Sequence, residues 1–109
     1  MPVLTLIHSR RVVAEVRLEG RPLPMSPLER QILALLAREP GAVVLRDDLL
    51  EALSVSRDVL KALVWRLRRK LPDPRHLTSL GSRSPSRRHM PDGAGYALQG
   101  LHVRWQESA

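Results

Sequence analysis

Residues 62–71 read ALVWRLRRKL, and the reading of this stretch decides the fold. Ser56 upstream is a good N-cap residue, and Pro72 downstream disfavours helical backbone at the residue before it. The spacing therefore predicts a helix over residues 57–71. At 100° per residue, Leu60, Leu63, Val64, Leu67 and Leu71 fall within an arc of roughly 100°, the width of a normal buried stripe. The opposite side carries Asp58, Lys61, Ala62, Trp65, Arg66 and Arg69, with Arg68 on a flank. Trp65 thus lies off the core stripe of its own helix. Three destinations stay open for it: DNA, a partner protein, or another part of the core.

Upstream, only Ser54, Val55 and Ser56 separate this helix from a shorter one expected over residues 46–53. Asp47 and Asp48 fit its first turn, where the helix dipole favours negative charge, and Leu49, Leu50 and Leu53 face inward. Before it, MSPLERQILALLAREPG has punctuation at both ends. Ser26 can cap, Pro27 suits the first helical position, and Glu29 three residues after Ser26 completes a capping box. Leu28, Ile32, Leu35 and Leu36 make an apolar face that Leu33 widens. Pro40 ends this helix near Glu39, and Gly41 suits a positive-φ exit. A short apolar run, residues 42–45, links it to the second helix.

At the N-terminus, residues 3–7 and 12–18 are rich in β-branched side chains and partly alternate, so they predict a small antiparallel meander turning through HSRR and EGRP. Leu23 would end a further short strand, with Pro22 and Pro24 at an edge or turn. Downstream, PDPRH is a turn. Residues 77–80 and 95–98 predict a hairpin joined by GSRSPSRRHMPDGA, and residues 101–105 a last strand. The expected fold is α+β, a winged helix-turn-helix: an N-terminal antiparallel sheet over about residues 1–24, three helices over 26–71, a hairpin wing over 77–98 and a terminal strand. With 109 residues, one domain spanning 1–109 is expected.

Charge sharpens this picture. The first 53 residues hold seven basic and seven acidic side chains, whereas residues 54–93 hold ten basic and three acidic, which accounts for the whole net charge of +7. A localised cationic half is the footprint of a polyanion binder. B-DNA admits an α-helix into its major groove, and its phosphates reward Arg and Lys flanking that helix. On this reading Arg57 and Lys61 are candidates for base edges. Trp65 packs on sugar and thymine methyl groups or donates to a phosphate, while Arg66, Arg68 and Arg69 clamp phosphates. Arg83, Arg87 and Arg88, with His89 beside them, belong to the wing, where the minor groove favours Arg.

The same residues resemble the winged-helix DNA-binding effector domains of two-component response regulators, the OmpR/PhoB type. Gly20 followed by Met25, Ser26 and Glu29 matches that family's Leu-Thr-x-x-Glu approach to its first helix, and ILALLAREPGAVVLRDDLLEAL its first two helices, with Leu45 in place of the usual capping Ser. Leu67 to Leu71 match its Leu-Arg-x-Lys-Leu signature, and Gly93 to Tyr96 its closing Gly-x-Gly-Tyr. The resemblance implies a four-stranded N-terminal sheet, binding to repeated DNA sites and regulation of transcription. Three departures stand out. The usual long loop between the second and third helices is reduced to three residues, which weakens activation through RNA polymerase. Lys61 and Leu63 stand where the family has Asp and His. Some eleven extra residues lengthen the wing around 82–92. No receiver domain is read ahead of the effector, so control is expected from abundance, a separate partner, dimerisation or domains outside this chain.

The expected partner is double-stranded DNA, and a homodimer through a free sheet edge and contact with RNA polymerase stay open. The alternative class is a winged helix that binds protein through Trp65 and the wing. An enzyme is not expected. There is no Cys, the four His are dispersed, and there is no phosphate-cradling Gly run, so neither a metal nor another cofactor is implied. No signal peptide or membrane span is read, so the expected location is the cytoplasm.

Overall fold

The computed structural model describes residues 1–80 and 95–108. The elements run β1 (Val3–Ser9), β2 (Val12–Leu18), β3 (Arg21–Pro22), α1 (Pro27–Ala37), β4 (Val44–Leu45), α2 (Arg46–Leu53), α3 (Arg57–Lys70), a 3-10 turn (Pro74–His76), β5 (Leu77–Leu80), β6 (Gly95–Leu98) and β7 (His102–Glu107). This is the α+β, winged helix-turn-helix arrangement, with three helices between an N-terminal sheet and a C-terminal hairpin.

The helix boundaries follow local chemistry. Ser26 caps α1 by accepting from the Glu29 N–H at 3.2 Å, while Glu29 accepts from the Ser26 N–H at 2.9 Å. The capping box is complete. α1 stops at Ala37, two residues earlier than expected, because Glu39 precedes a proline and joins a turn in which its carbonyl accepts from Ala42 N–H at 2.9 Å. Leu45 stands at the α2 N-cap without a side-chain bond, since leucine has no polar side-chain atom to offer. Ser54 then takes the left-handed conformation (φ 55°, ψ 47°), and Ser56 caps α3 by accepting from Val59 N–H. α3 closes at Lys70. Leu71, the residue before Pro72, is already extended at φ −85°, ψ 154°.

The first sheet corrects the expectation of an all-antiparallel N-terminal layer. Its order is β3-β2-β1-β7, and β7 pairs with β1 in parallel, Val3 opposite His102 through His8 opposite Glu107. The fourth strand therefore comes from the other end of the chain. β7 fills the edge of β1 that β2 leaves open, so the strand that carries the buried Leu4 and Leu6 is hydrogen-bonded on both sides. The third strand is Arg21–Pro22 and stops short of Leu23, whose N–H bonds Val16 O at 2.8 Å just beyond the ladder. A bulge after Ile7 leaves Ala14 unpaired, so that Val13, rather than Ala14, turns inward opposite His8. Two-residue hairpins with positive φ join these strands. One uses Glu19 and Gly20, the other Arg10 and Arg11 at φ 49° and 72°.

The second sheet, β4-β6-β5, forms the wing base. Gly95 is required there: a Cβ would lie 2.6 Å from Val43 Cγ1 and 2.9 Å from Val44 O. Between the sheets, Ile32, Leu33, Leu36, Leu49, Leu60, Leu67, Leu77 and Leu98 are 1% exposed or less and form the core. All five residues of the expected α3 stripe, Leu60, Leu63, Val64, Leu67 and Leu71, are buried.

α3 is fixed at its far end by a charge from α1. Lys70 Nζ donates to Glu29 Oε1 at 3.0 Å and lies 2.9 Å from Oε2, with the Glu29 side chain 3% exposed. Burial raises the carboxyl pKa, but the Ser26 backbone N–H, Lys70 and the Ser26 hydroxyl together outweigh it and leave the group below its ordinary value. A depressed carboxyl contributes stability in full above its unfolded value near 4.5 and loses it as pH falls through the lower folded value. Glu29→Gln should cost about 2 kcal/mol at neutral pH, since the charge-assisted bond is lost and Lys70 keeps some solvent. The difference between wild type and variant should shrink as pH drops below 4.5. Denaturant titrations across that range check both, and a pH-independent difference would show that the ion pair is not responsible.

Candidate nucleic-acid interface

With its core stripe committed to Leu and Val, α3 must present everything else outward. Arg57, Lys61, Trp65 and Arg69 are spaced four apart and are all exposed, one per turn along a single inclined ridge. Over those residues the ridge runs about 18 Å. Trp65 is 58% exposed, so it belongs to the surface and not to the core. Arg69 lies over its indole, with Cζ 4.6 Å from the ring centroid, a cation–π contact that fixes both side chains relative to the helix. Arg66 is exposed beside them. Asp58 is the single acid in the helix, near its N-terminus, where the dipole favours it.

The other cations of this half have different surroundings. Arg68, grouped from sequence with the phosphate contacts, is half-buried. Its Nε donates to Leu77 O at 3.0 Å and its Nη2 to Ser79 Oγ, so it ties α3 to the first wing strand. Lys70 is held by Glu29. Arg75 pairs with Asp73, Nη2 to Oδ2 at 2.8 Å. Hydrogen bonds from the Arg75 side chain and N–H bring the Asp73 carboxyl down to about 2. That pair is local to the 3-10 turn. Arg83, Arg87, Arg88 and His89 lie outside the described residues, so the structure brings the α3 cations together but does not speak to the wing set.

Sequence reading passed over Val59. It is 42% exposed in the first turns of α3, beside Arg57 and Lys61, and with exposed Ala62 it puts apolar surface among the charges. The signal was available, because Val59 falls outside the Leu stripe on the same helical projection. Lys70 gave no such signal, since its partner is 41 residues away.

Residues 20–82 match the family described as "Transcriptional regulatory protein, C terminal". The chain belongs to this family. Its members are the winged-helix DNA-binding effector domains of response regulators; they bind double-stranded DNA sequence-specifically to regulate transcription, and they are not catalytic. The match takes in all three helices and the first wing strand, and it ends before Gly93 to Tyr96. Comparison with curated proteins gives no significant match. Among the described residues no group of three or more His, Cys, Asp or Glu is placed to hold a metal, and no helix is long and apolar enough to cross a membrane.

The two neighbouring arginines of α3 separate in their effect on folding. Arg68→Ala should lower stability by about 1–2 kcal/mol, because it removes two bonds between α3 and β5. Arg69→Ala, on the exposed ridge, should change it by less than about 0.5 kcal/mol. Equal losses in urea denaturation would contradict this division.

Proposed function

We propose that α3 enters the major groove ridge-first, as the base-reading element of a transcriptional regulator. The observation that carries this is the exposed line Arg57, Lys61, Trp65, Arg69, which starts beside the helix's own buried stripe and winds to its opposite side. Lys61 and Arg57 stand at the leading end and read base edges, and Val59 meets a thymine methyl group. Trp65, steadied by Arg69, packs on sugar and methyl groups, while Arg66 and Arg69 contact phosphates. Arg68 acts at one remove, by holding the wing base against α3. Arg83, Arg87 and Arg88 contact the backbone or the minor groove from the wing. The family's Asp and His positions are Lys61 and Leu63 here, so the preferred sequence is this chain's own.

The unit of action on this reading is the whole of residues 1–109, working in the cytoplasm. Two copies pair on repeated sites through the outer edge of β7, which has no strand against it among the described residues. A second reading has the same surface contacting RNA polymerase or another nucleoprotein, and the wide exposure of Trp65 favours it. With only Ser54 to Ser56 between α2 and α3, such a contact would run through Trp65 and the wing rather than through that turn.

Selection of duplexes from a random pool should return a defined motif, and half-site spacing near one helical turn would reveal a paired binder. On that motif Lys61→Ala or Arg57→Ala should relax discrimination at one position by about 1–3 kcal/mol. Arg69→Ala should weaken specific and random duplexes alike and reduce the salt slope by about one. Uniform losses for all three variants would remove base reading from the leading end of α3. Absence of any DNA binding at low salt, with a retained polymerase contact, would favour the second reading.

A further inference from the structure

A second concave surface lies away from the α3 ridge. At the hairpin end of the first sheet, the inner face runs past the C-terminal half of α1 and leaves a groove of about 350 Å³. Its walls are Val13 and Trp105 from the sheet, Leu35 from α1 and Leu53 from α2, and none of its residues comes from α3. Two cations stand in the lining, Arg11 from the hairpin and Arg38 just after α1, and no carboxylate does. Neither arginine makes an ion pair or a side-chain hydrogen bond among the described residues.

We propose that this groove is a binding site for a small amphipathic carboxylate, an apolar or aromatic body ending in one anionic group. The volume falls at the lower end of the range for small-molecule sites, which are largely apolar with a few convergent polar groups. An apolar floor beside two uncommitted guanidinium groups selects a ligand of the complementary build, because Arg binds a carboxylate through paired N–H donors. Trp105, 44% exposed, offers a flat wall for the body, and His8 meets it edge-on with ring centroids 6.1 Å apart. The hairpin supports the assignment. Positive-φ hairpin positions favour Asn and Gly, and the second hairpin has Gly20 at its second position, yet the groove-side hairpin holds Arg10 and Arg11. Strained residues of this kind collect at binding sites. Leu53 also immediately precedes the left-handed Ser54, so the ligand rests against the turn that aims α3.

The test uses 4-phenylbutanoate as probe and its neutral amide as control. A Trp65→Phe chain keeps Trp105 as its one Trp, because the protein has two. Titration should give a saturable change in Trp105 fluorescence, with Kd on the order of 0.1–1 mM for a ligand of about a dozen non-hydrogen atoms. The amide should bind at least about tenfold more weakly, and an Arg11→Gln, Arg38→Gln double variant should lose that preference for the acid. Amide NMR shifts in the folded protein should map to β1, β2, the second half of α1 and β7. Four results would overturn the proposal: no saturation at about 10 mM, equal affinity for acid and amide, an unchanged preference in the double variant, or shifts confined to α3. Binding by an acidic amphipathic helical peptide, with none by phenylbutanoate, would also overturn it and make the groove a protein dock.

Discussion

Glu29 joins two tasks that usually fall to different residues. Its carboxylate closes the capping box that starts α1, and the same group receives the ammonium of Lys70 at the last turn of α3. Because it is almost wholly buried, it cannot be relieved by water if either partner leaves. The first turn of one helix and the last turn of another are thereby held in a single charged joint. The leucines and valines of the core supply most of the driving force for collapse, but apolar contacts tolerate sliding and rotation. A directional bond to a buried carboxylate does not, and it ties the last turn of α3 to the first turn of α1.

That orientation matters because α3 works on both sides. Its buried stripe and its exposed ridge are drawn from positions interleaved along one helix, so a rotation would expose Leu60 and withdraw Lys61. Two side chains brace it along its length. Lys70 holds the end against α1, and Arg68 holds the flank against the wing base. Both are cations in a strongly basic stretch, and both serve geometry. Lys61, Arg66 and Arg69 stay exposed on the outer side of the helix, which is what an electrostatic surface for a polyanion requires.

Much of this was legible beforehand, for reasons that can be named. The α1 cap, the α2–α3 turn and the α3 stripe depend on residues within a few positions of each other, so the sequence displays them directly. The same projection put Trp65 off the core stripe of its own helix, but only the folded chain shows that no other element covers it. The parallel β7 was not legible, because strand order depends on partners about a hundred residues apart and nothing local distinguishes a parallel neighbour from an antiparallel one. The position of Arg68 was hidden for the same reason: Leu77 and Ser79 lie beyond a proline-rich turn, and only the folded chain shows that they reach it. Charge counts could say that the second half of the protein meets an anion, but not which arginines are occupied by the fold itself.

The parallel strand carries a consequence for biosynthesis. Val3 is opposite His102, so β1 must wait for β7, far downstream, before its second edge is filled. Throughout translation the apolar N-terminal ladder is a half-finished template, open to any other extended chain nearby, including the same strand on a neighbouring ribosome. The three helices wait less, since they contact one another as α3 emerges, although α1 also rests on β6 and α3 on β5. Strands far apart in order of manufacture are thus neighbours in the sheet, and β7 serves as the seal.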